Sequence, residues 1–406
     1  MRLALFTDTV VDINGVARFI GDLRGCPRRL DGERCELLVL TSTRKPVGAI
    51  TGPELFNSPP LVAFGLPGYR LLDVAIPSPT ELAGALSSFR PDVVHVSTPG
   101  PVGLVGRGLA VSRGLPLLGT YHTDFPAYAE RIYGSSVLSG LTRSVTDWFY
   151  APFRKLLVRS AESARQLCAA GGDCSRLRVL PAGVDLQRFC VSDEPRETWL
   201  NRVGRISPAA AAAVRAGRRV VLYVGRISRE KNLALLTATW RQVVQECGAA
   251  RPPLLLVVGD GPGLGALRDD LRVIGHADAP GFATGQSLLD LYRCGSVLLF
   301  PSRTDTLGQV VLEAQAMCMP AIVSDAGGPR QLVVPERTGV VVQGEQAGDW
   351  AGAVRRVIQD GEHLAAMQRA AQQHAQSMPF SRTSEAFWVE HRKVLQTGAG
   401  GAGAVK

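Results

Sequence analysis

Short apolar runs alternate with segments of helical period along the whole chain. Leu3-Ala4-Leu5-Phe6 ends in polar Thr7-Asp8-Thr9, and Val16, Phe19, Ile20 and Leu23 then recur at i, i+3, i+4 and i+7. Further apolar runs stand at Glu36–Leu40, Val93–Val96 and Pro116–Thr120. Runs without alternation, separated by helical stretches, predict strands buried on both faces of a parallel sheet. Pro181, Gly183 and Pro195 break the pattern, and an alanine run from Ala209 to Ala213 follows. The pattern restarts with strands at Val220–Val224, Leu254–Val258, Val297–Phe300 and Pro320–Val323. The expectation is two doubly wound α/β domains in tandem. Ligands of such sheets bind at the carboxyl ends of strands, so two such domains facing each other would form a central cleft. The Gly/Ala-rich end from Gly398 to Lys406 reads as a disordered tail.

Composition adds limits. At 406 residues, 46% hydrophobic and 20% charged, the chain has material for two cores. No apolar run approaches the ~20 residues of a membrane span, and the first apolar stretch is too short for a signal peptide. The expectation is a cytoplasmic protein. The eight cysteines form no Cys-x-x-Cys pair and have no His cluster beside them, which argues against zinc and for reduced thiols. A net charge of +9 suits an anionic partner. No nucleic-acid-binding motif accompanies it, so no nucleic acid is expected.

The segment with the most chemistry runs from Phe300 to Asp325 as strand, loop, helix and strand. The loop Pro301–Gly308 leads into a helix from about Gly308 to Met317, whose free N–H groups and dipole favour a phosphate. Glu313 lies inside that helix with no countercharge among its helical neighbours, and ligand hydroxyls would satisfy it. Asp305 precedes it by eight positions, roughly 12 Å along a helix axis, enough to reach the two sides of a diphosphate. Spacing alone favours a plainer reading, in which Asp305 caps the helix and Glu313 is partly exposed. Arg226 and Lys231 leave the carboxyl end of the strand Val220–Val224, where an anion would lie, although each alone is more often a solvated cation. Gly259-Asp260-Gly261-Pro262 reads as a tight turn.

In order, Val224-Gly225-Arg226, Lys231-Asn232, Gly259-Asp260-Gly261-Pro262, Phe300-Pro301-Ser302, Asp305-x7-Glu313-Ala314 and Gly327-Gly328 resemble the retaining glycosyltransferases of family 4. The first half agrees through Asn14-Gly15-Val16, Pro91–His95, Gly119-Thr120-Tyr121-His122-Thr123-Asp124-Phe125-Pro126 and Pro181-x-Gly183-Val184-Asp185. The set looks nearest the branch with sulfoquinovosyl-, mannosyl- and glucuronosyl-lipid transferases.

The resemblance implies a GT-B α/β fold of two Rossmann-like domains. The expected divisions are an acceptor-side domain over 1–195, a donor domain over 196–378, a last helix over 379–397 returning to the first domain, and the tail 398–406. It implies a UDP- or GDP-sugar donor, transfer with retention, a lipid or small-molecule acceptor, and no metal or other cofactor. Residue by residue, it gives Arg226 and Lys231 the donor diphosphate and Glu313 the ribose hydroxyls. Asp305 and His122 would lie at the reacting sugar. Thr306, Leu307 and Gly308 would border sugar and phosphate, and Gly281 the base. The Asn14-Gly15 loop would approach from the acceptor side. Asp305 stands where the family usually has Glu, Cys318 where it has Gly, Ser296 where it has Asp, and Ala279 where it has an aromatic.

The run Trp148-Phe149-Tyr150 through Arg154, Lys155 and Arg159 mixes aromatics with bases, as a peripheral membrane contact does. A core helix capped by solvated arginines is the preferred reading. Two other functions compete. A non-catalytic nucleotide-sugar binder would need lost donor contacts, yet Arg226, Lys231 and Glu313 are present. A dinucleotide oxidoreductase needs Gly-x-Gly-x-x-Gly after a strand, and Gly259-x-Gly261-x-Gly263 has another spacing.

Overall fold

The computed structural model describes residues 1–12, 14–47, 52–66, 69–122, 136–247 and 252–399. The chain forms two compact units, Met1–Ala182 with Phe380 onward, and Gly183–Pro379. The division therefore falls at 182/183 and not at 195. The segment 183–195 joins the second unit because Val184 N–H donates to the Met378 carbonyl at 3.0 Å, at that unit's far end.

In the first unit, besides a short antiparallel pair of Arg29–Leu30 with Glu33–Arg34, the strands are β1 (Arg2–Phe6), β2 (Glu36–Thr41), β3 (Leu55–Asn57), β4 (Val62–Leu66), β5 (Tyr69–Ile76), β6 (Val93–Val96), β7 (Leu117–Tyr121), β8 (Lys155–Val158) and β9 (Leu177–Val179). Its helices are α1 (Gly15–Gly25), α2 (Pro79–Phe89), α3 (Pro101–Ser112), α4 (Ser136–Tyr150) and α5 (Ala161–Ala169). The main sheet is parallel, in the order β9-β8-β7-β6-β1-β2-β3, with β4 and β5 a separate antiparallel hairpin. One face packs Leu3, Leu5, Val39, Leu118 and Leu157 under Phe19, Ile20 and Leu23 of α1. The other packs Ala4, Phe6, Leu40, Val96 and Tyr121 under α2, α3 and the Phe149–Phe153 aromatics. Burial on both faces is why these strands read as unbroken apolar runs.

The second unit has α6 (Arg196–Ile206), α7 (Pro208–Arg215), β10 (Val220–Val224), α8 (Leu233–Glu246), β11 (Leu254–Val258), α9 (Leu264–Ile274), β12 (Ala277–Gly281), α10 (Gly285–Cys294), β13 (Val297–Phe300), α11 (Gln309–Ala316), β14 (Ala321–Ser324), β15 (Gly339–Val342), α12 (Ala347–Gln359) and α13 (Gly361–Gln376). Its sheet is parallel, in the order β12-β11-β10-β13-β14-β15. Strand order reverses at β10/β13 here and at β1/β6 in the first unit, and such switch points are where open α/β sheets hold ligands.

The last helix, α14 (Phe380–Ala399), belongs to the first unit. Phe380, Phe387, Trp388 and Val394 join the core over Leu3, Leu5 and Phe19. Buried His391 gives its Nδ1 proton to the Phe387 carbonyl at 2.6 Å. Its Nε2 then accepts from His95 Nδ1 at 3.0 Å, and His95 Nε2 accepts from Thr120 Oγ1 at 3.0 Å. Gly398 and Ala399 continue this helix instead of starting the tail, and 400–406 lie outside the described residues. Among the described residues no helix is long and apolar enough to cross a membrane. Cys168 and Cys174 are joined as a disulfide with Cα atoms 5.4 Å apart, against the expectation of thiols throughout, while Cys35, Cys190, Cys247, Cys294 and Cys318 are thiols.

Candidate active site

Five loops meet at the carboxyl edge of the second sheet. The one after β10 holds Gly225, Arg226 and Lys231, and the one after β11 holds Gly259–Pro262. These two are laced backbone to backbone: Gly225 N–H donates to the Val258 carbonyl at 3.0 Å, Ile227 N–H to Asp260 at 2.9 Å and Gly263 N–H to Ile227 at 2.9 Å. The approach is so close that a Cβ on Gly259 would lie 1.8 Å from the Gly225 carbonyl oxygen. Gly281 ends β12, and its carbonyl takes the Gly259 N–H at 2.9 Å.

The loop after β13 is tied to both sides. Thr304 Oγ1 donates to the Glu230 carbonyl at 3.1 Å, and Arg303 reaches Asp325 at 2.9 Å. Lys231 Nζ lies 2.7 and 2.8 Å from the two Asp305 oxygens. The structure thus pairs two residues to which the resemblance gives separate tasks. Asp305 does not cap α11. Gly308 does, at φ +79°, with Pro329 only 2.6 Å from where a Cβ would stand. Without a capping side chain there, the first N–H groups of α11, next to Thr306, Leu307 and Gly308, present the positive helix end. Gln309 Nε2 anchors the helix start to the Gly183 carbonyl at 2.9 Å.

Glu313 is 5% exposed, not the partly exposed carboxylate of the plainer reading. Tyr292, itself buried on α10, donates to Glu313 Oε2 at 2.9 Å. This donor comes from 21 residues away, where helical spacing cannot show it. Arg226 stands half-buried at the same edge, and its carbonyl accepts from Tyr223 Oη at 3.0 Å. Of the departures, Cys318 adopts φ +61°, the left-handed conformation that suits glycine. Ser296 Oγ accepts from Val220 N–H at 3.2 Å, and the carbonyl of buried Ala279 accepts from Arg268 at 2.9 Å. Among the described residues no group of three His, Cys, Asp or Glu side chains could hold a metal ion.

In the first unit Asn14 is the N-cap of α1, accepting from Val16 and Ala17 N–H at 3.0 and 2.9 Å, while Gly15 has open space around it. His122 follows β7 and meets the Phe19 ring edge-on at 5.4 Å. Burial, then the charge of Arg159, pulls its pKa down to about 3, so the imidazole is neutral at pH 7. Thr123-Asp124-Phe125-Pro126 lies outside the described residues. Asp8, which sequence reasoning missed, accepts from Thr98 Oγ1 at 2.6 Å and Val102 N–H at 2.7 Å, so it occupies the N-terminus of α3. The expected core helix ends at Tyr150, and Lys155–Val158 is a strand. Phe149, Tyr150 and Phe153 are core; Trp148 is 55% exposed under the Arg107 guanidinium, and Arg159 is buried, not solvated.

Two family models match the chain: Glycosyltransferase Family 4 over residues 13–188 and Glycosyl transferases group 1 over 209–374. The GDP-mannose-dependent alpha-mannosyltransferase of Mycobacterium tuberculosis is 31% identical over 77% of this chain and 73% of its own length. The sulfoquinovosyl transferase SQD2 of Arabidopsis thaliana is 28% identical over 84% of this chain and 64% of its own. Among solved structures, the sucrose-phosphate synthase of Thermosynechococcus elongatus superposes with a TM-score of 0.74 at 18% identity, covering 98% of this chain and all of its own.

Proposed function

The chain belongs to the family 4 glycosyltransferases of GT-B fold, and from that premise we propose that it moves a hexosyl unit, with retention, from a UDP- or GDP-sugar to a hydroxyl of a lipid or small molecule. The observation that carries this reading is the meeting of Arg226, Lys231, Asp305, the open end of α11 and buried Glu313 at one switch point. The name of the GDP-mannose-dependent alpha-mannosyltransferase supports a nucleotide-sugar donor.

In this mechanism Glu313, held by Tyr292, accepts from the ribose hydroxyls. Arg226, Lys231 and the N–H groups at Leu307 and Gly308 take up the charge that grows on the leaving diphosphate, an electrostatic role. The bond from the anomeric carbon to the phosphate oxygen breaks as the acceptor oxygen bonds to that carbon on the same face. The acceptor's proton passes to the departing phosphate oxygen. Asp305 and neutral His122 orient the sugar, and Gly281 borders the base. No metal takes part, so a chelator should leave the rate unchanged.

A lipid acceptor would bring a membrane contact on the cytoplasmic side. Support for it comes from exposed Val145 and Trp148 of α4 with Leu104 and Val111 of α3, around Arg107. Buried Arg159 has no part in that surface.

The test is a panel of UDP- and GDP-sugars, with nucleoside diphosphate release and anomeric proton spectra of the product as readouts. One donor should turn over, and its linkage should keep the donor's configuration. Tight nucleotide binding without turnover of any donor would leave the alternative, a non-catalytic nucleotide-sugar binder.

A further inference from the structure

The carboxyl edge of the first sheet holds a cation that the transfer chemistry leaves unused. β7 and β8 pair in parallel with Tyr121 opposite Val158, so the next residues, His122 and Arg159, leave the sheet side by side. Strand alternation turns both toward the face covered by α1, since Leu118 and Leu157 pack there. The Arg159 guanidinium stacks on Phe19, 4.5 Å from the ring centre, and the same ring touches His122. Arg159 is 6% exposed, and its Nη1 has no hydrogen-bond acceptor among the described residues. The nearest carboxylate influence is Asp22, which Arg18 already holds at 2.9 and 3.0 Å. Burial draws the guanidinium down to about 10, still protonated at neutral pH.

A desolvated charge without an acceptor is costly, and removing a partner from such a group is among the most destabilising changes known. Proteins keep such groups where a ligand completes them. We propose that Arg159 is an oxyanion subsite on the acceptor side of this enzyme, and that the acceptor carries a phosphate ester. The planar fork of a guanidinium matches two phosphate oxygens, Phe19 holds that plane fixed, and adjacent His122, being neutral, does not compete for the anion. The chain's net charge of +9 works in the same direction. This deepens the reading above and rests on it, because it assumes that the first unit takes the acceptor.

The phosphate can belong to a soluble polyol phosphate or to a lipid headgroup, and the test separates them. Wild type, Arg159→Gln and Arg159→Lys are first saturated with UDP or GDP, which fills the donor diphosphate site. Each is then titrated with inorganic phosphate and glycerol 3-phosphate by calorimetry and thermal melting, and with vesicles of phosphatidylinositol or of phosphatidylcholine alone by co-sedimentation. Wild type should respond to phosphate, Arg159→Gln at least tenfold more weakly, and Arg159→Lys in between. A response to glycerol 3-phosphate marks a soluble acceptor, and an Arg159-dependent response to phosphatidylinositol vesicles alone marks a lipid. Arg159→Met, which removes the desolvated charge, should melt no lower than wild type. Equal phosphate responses in wild type and Arg159→Gln, or none in wild type with any probe, overturn the proposal. If the nucleotides bind and only the phosphate response fails, the donor reading stands; if no nucleotide binds, that reading falls first.

Discussion

Removing the Asp305 carboxylate should tighten the binding of free nucleoside diphosphate. Lys231 Nζ lies 2.7 and 2.8 Å from both Asp305 oxygens, and the two side chains are 17% and 21% exposed. At that separation and an effective dielectric of ~20 the gross attraction is about 6 kcal/mol. Desolvation and solvent screening offset most of it, leaving about 1 kcal/mol net for a pair this accessible. An incoming diphosphate competes with Asp305 for the ammonium. Asp305→Ala releases Lys231, so UDP or GDP should bind about fivefold more tightly. Transfer from the intact donor should nevertheless fall at least tenfold, because the sugar contact that strengthens at the transition state is gone. Asp305→Asn should share the tighter nucleotide binding and keep more turnover, since its amide still reaches a hydroxyl. Calorimetric titration at two ionic strengths is the assay, and the gain should shrink at high salt. A tenfold weakening in Asp305→Ala would refute the reasoning, because Asp305 would then be holding Lys231 in place for the phosphate.

Three more outcomes follow from the geometry. His122→Ala should lower turnover while leaving nucleotide affinity within about twofold, whereas a purely structural histidine would lower the melting temperature and spare turnover. Cys318→Gly should raise stability by about 0.5–1 kcal/mol, because Cys318 sits at φ +61° after α11; a thermal melt shifted upward by about 2 °C is the expected reading. The buried His95–His391 pair makes stability fall with acidity. Burial holds His391 near 4 and pushes His95 down as well, with His391 and His122 adding to the shift. The unfolded chain, titrating near 6.5, binds more protons in that window. Stability is therefore full above about pH 6.5 and is lost as pH falls toward 4, by up to about 1.4 kcal/mol per unit for each group. Urea melts at pH 7.5, 6 and 5 measure this, and a His391→Phe variant with an undiminished slope would contradict it.

The strands were legible because burial on both faces writes them as apolar runs, and Leu3–Phe6, Val93–Val96 and Val220–Val224 needed no other signal. The order of the loops after β10, β11 and β13 was legible through glycines such as Gly259, whose backbone lies against another. What stayed hidden depends on pairing across distance. Lys231 and Asp305 are 74 residues apart, and Tyr292 reaches Glu313 from a neighbouring helix. Asp305 resembled a helix cap because the sequence does not reveal that Gly308 turns left-handed and starts α11 itself. Arg159 read as a solvated cation because its burial follows from the β7–β8 register and from Phe19, on a helix more than a hundred positions earlier.

The helix α14 sets an order of assembly during synthesis. Phe380, Phe387 and Trp388 complete the core begun by Leu3, Leu5 and Phe19, and His391 reaches His95 across 296 residues. The amino-terminal sheet emerges from the ribosome first but waits for the last helix to seal it. Closing so long a loop would be slow for an unfolded chain. The intervening residues form a compact unit of their own, and the Val184–Met378 hydrogen bond holds its two ends together. Once that inserted unit has formed, the carboxyl-terminal helix is delivered beside Ala182, and the remaining search is short. A nascent chain stalled before Phe380 would expose the apolar side of α1, which makes this interval the stage at which a chaperone holding the amino-terminal sheet has most to protect.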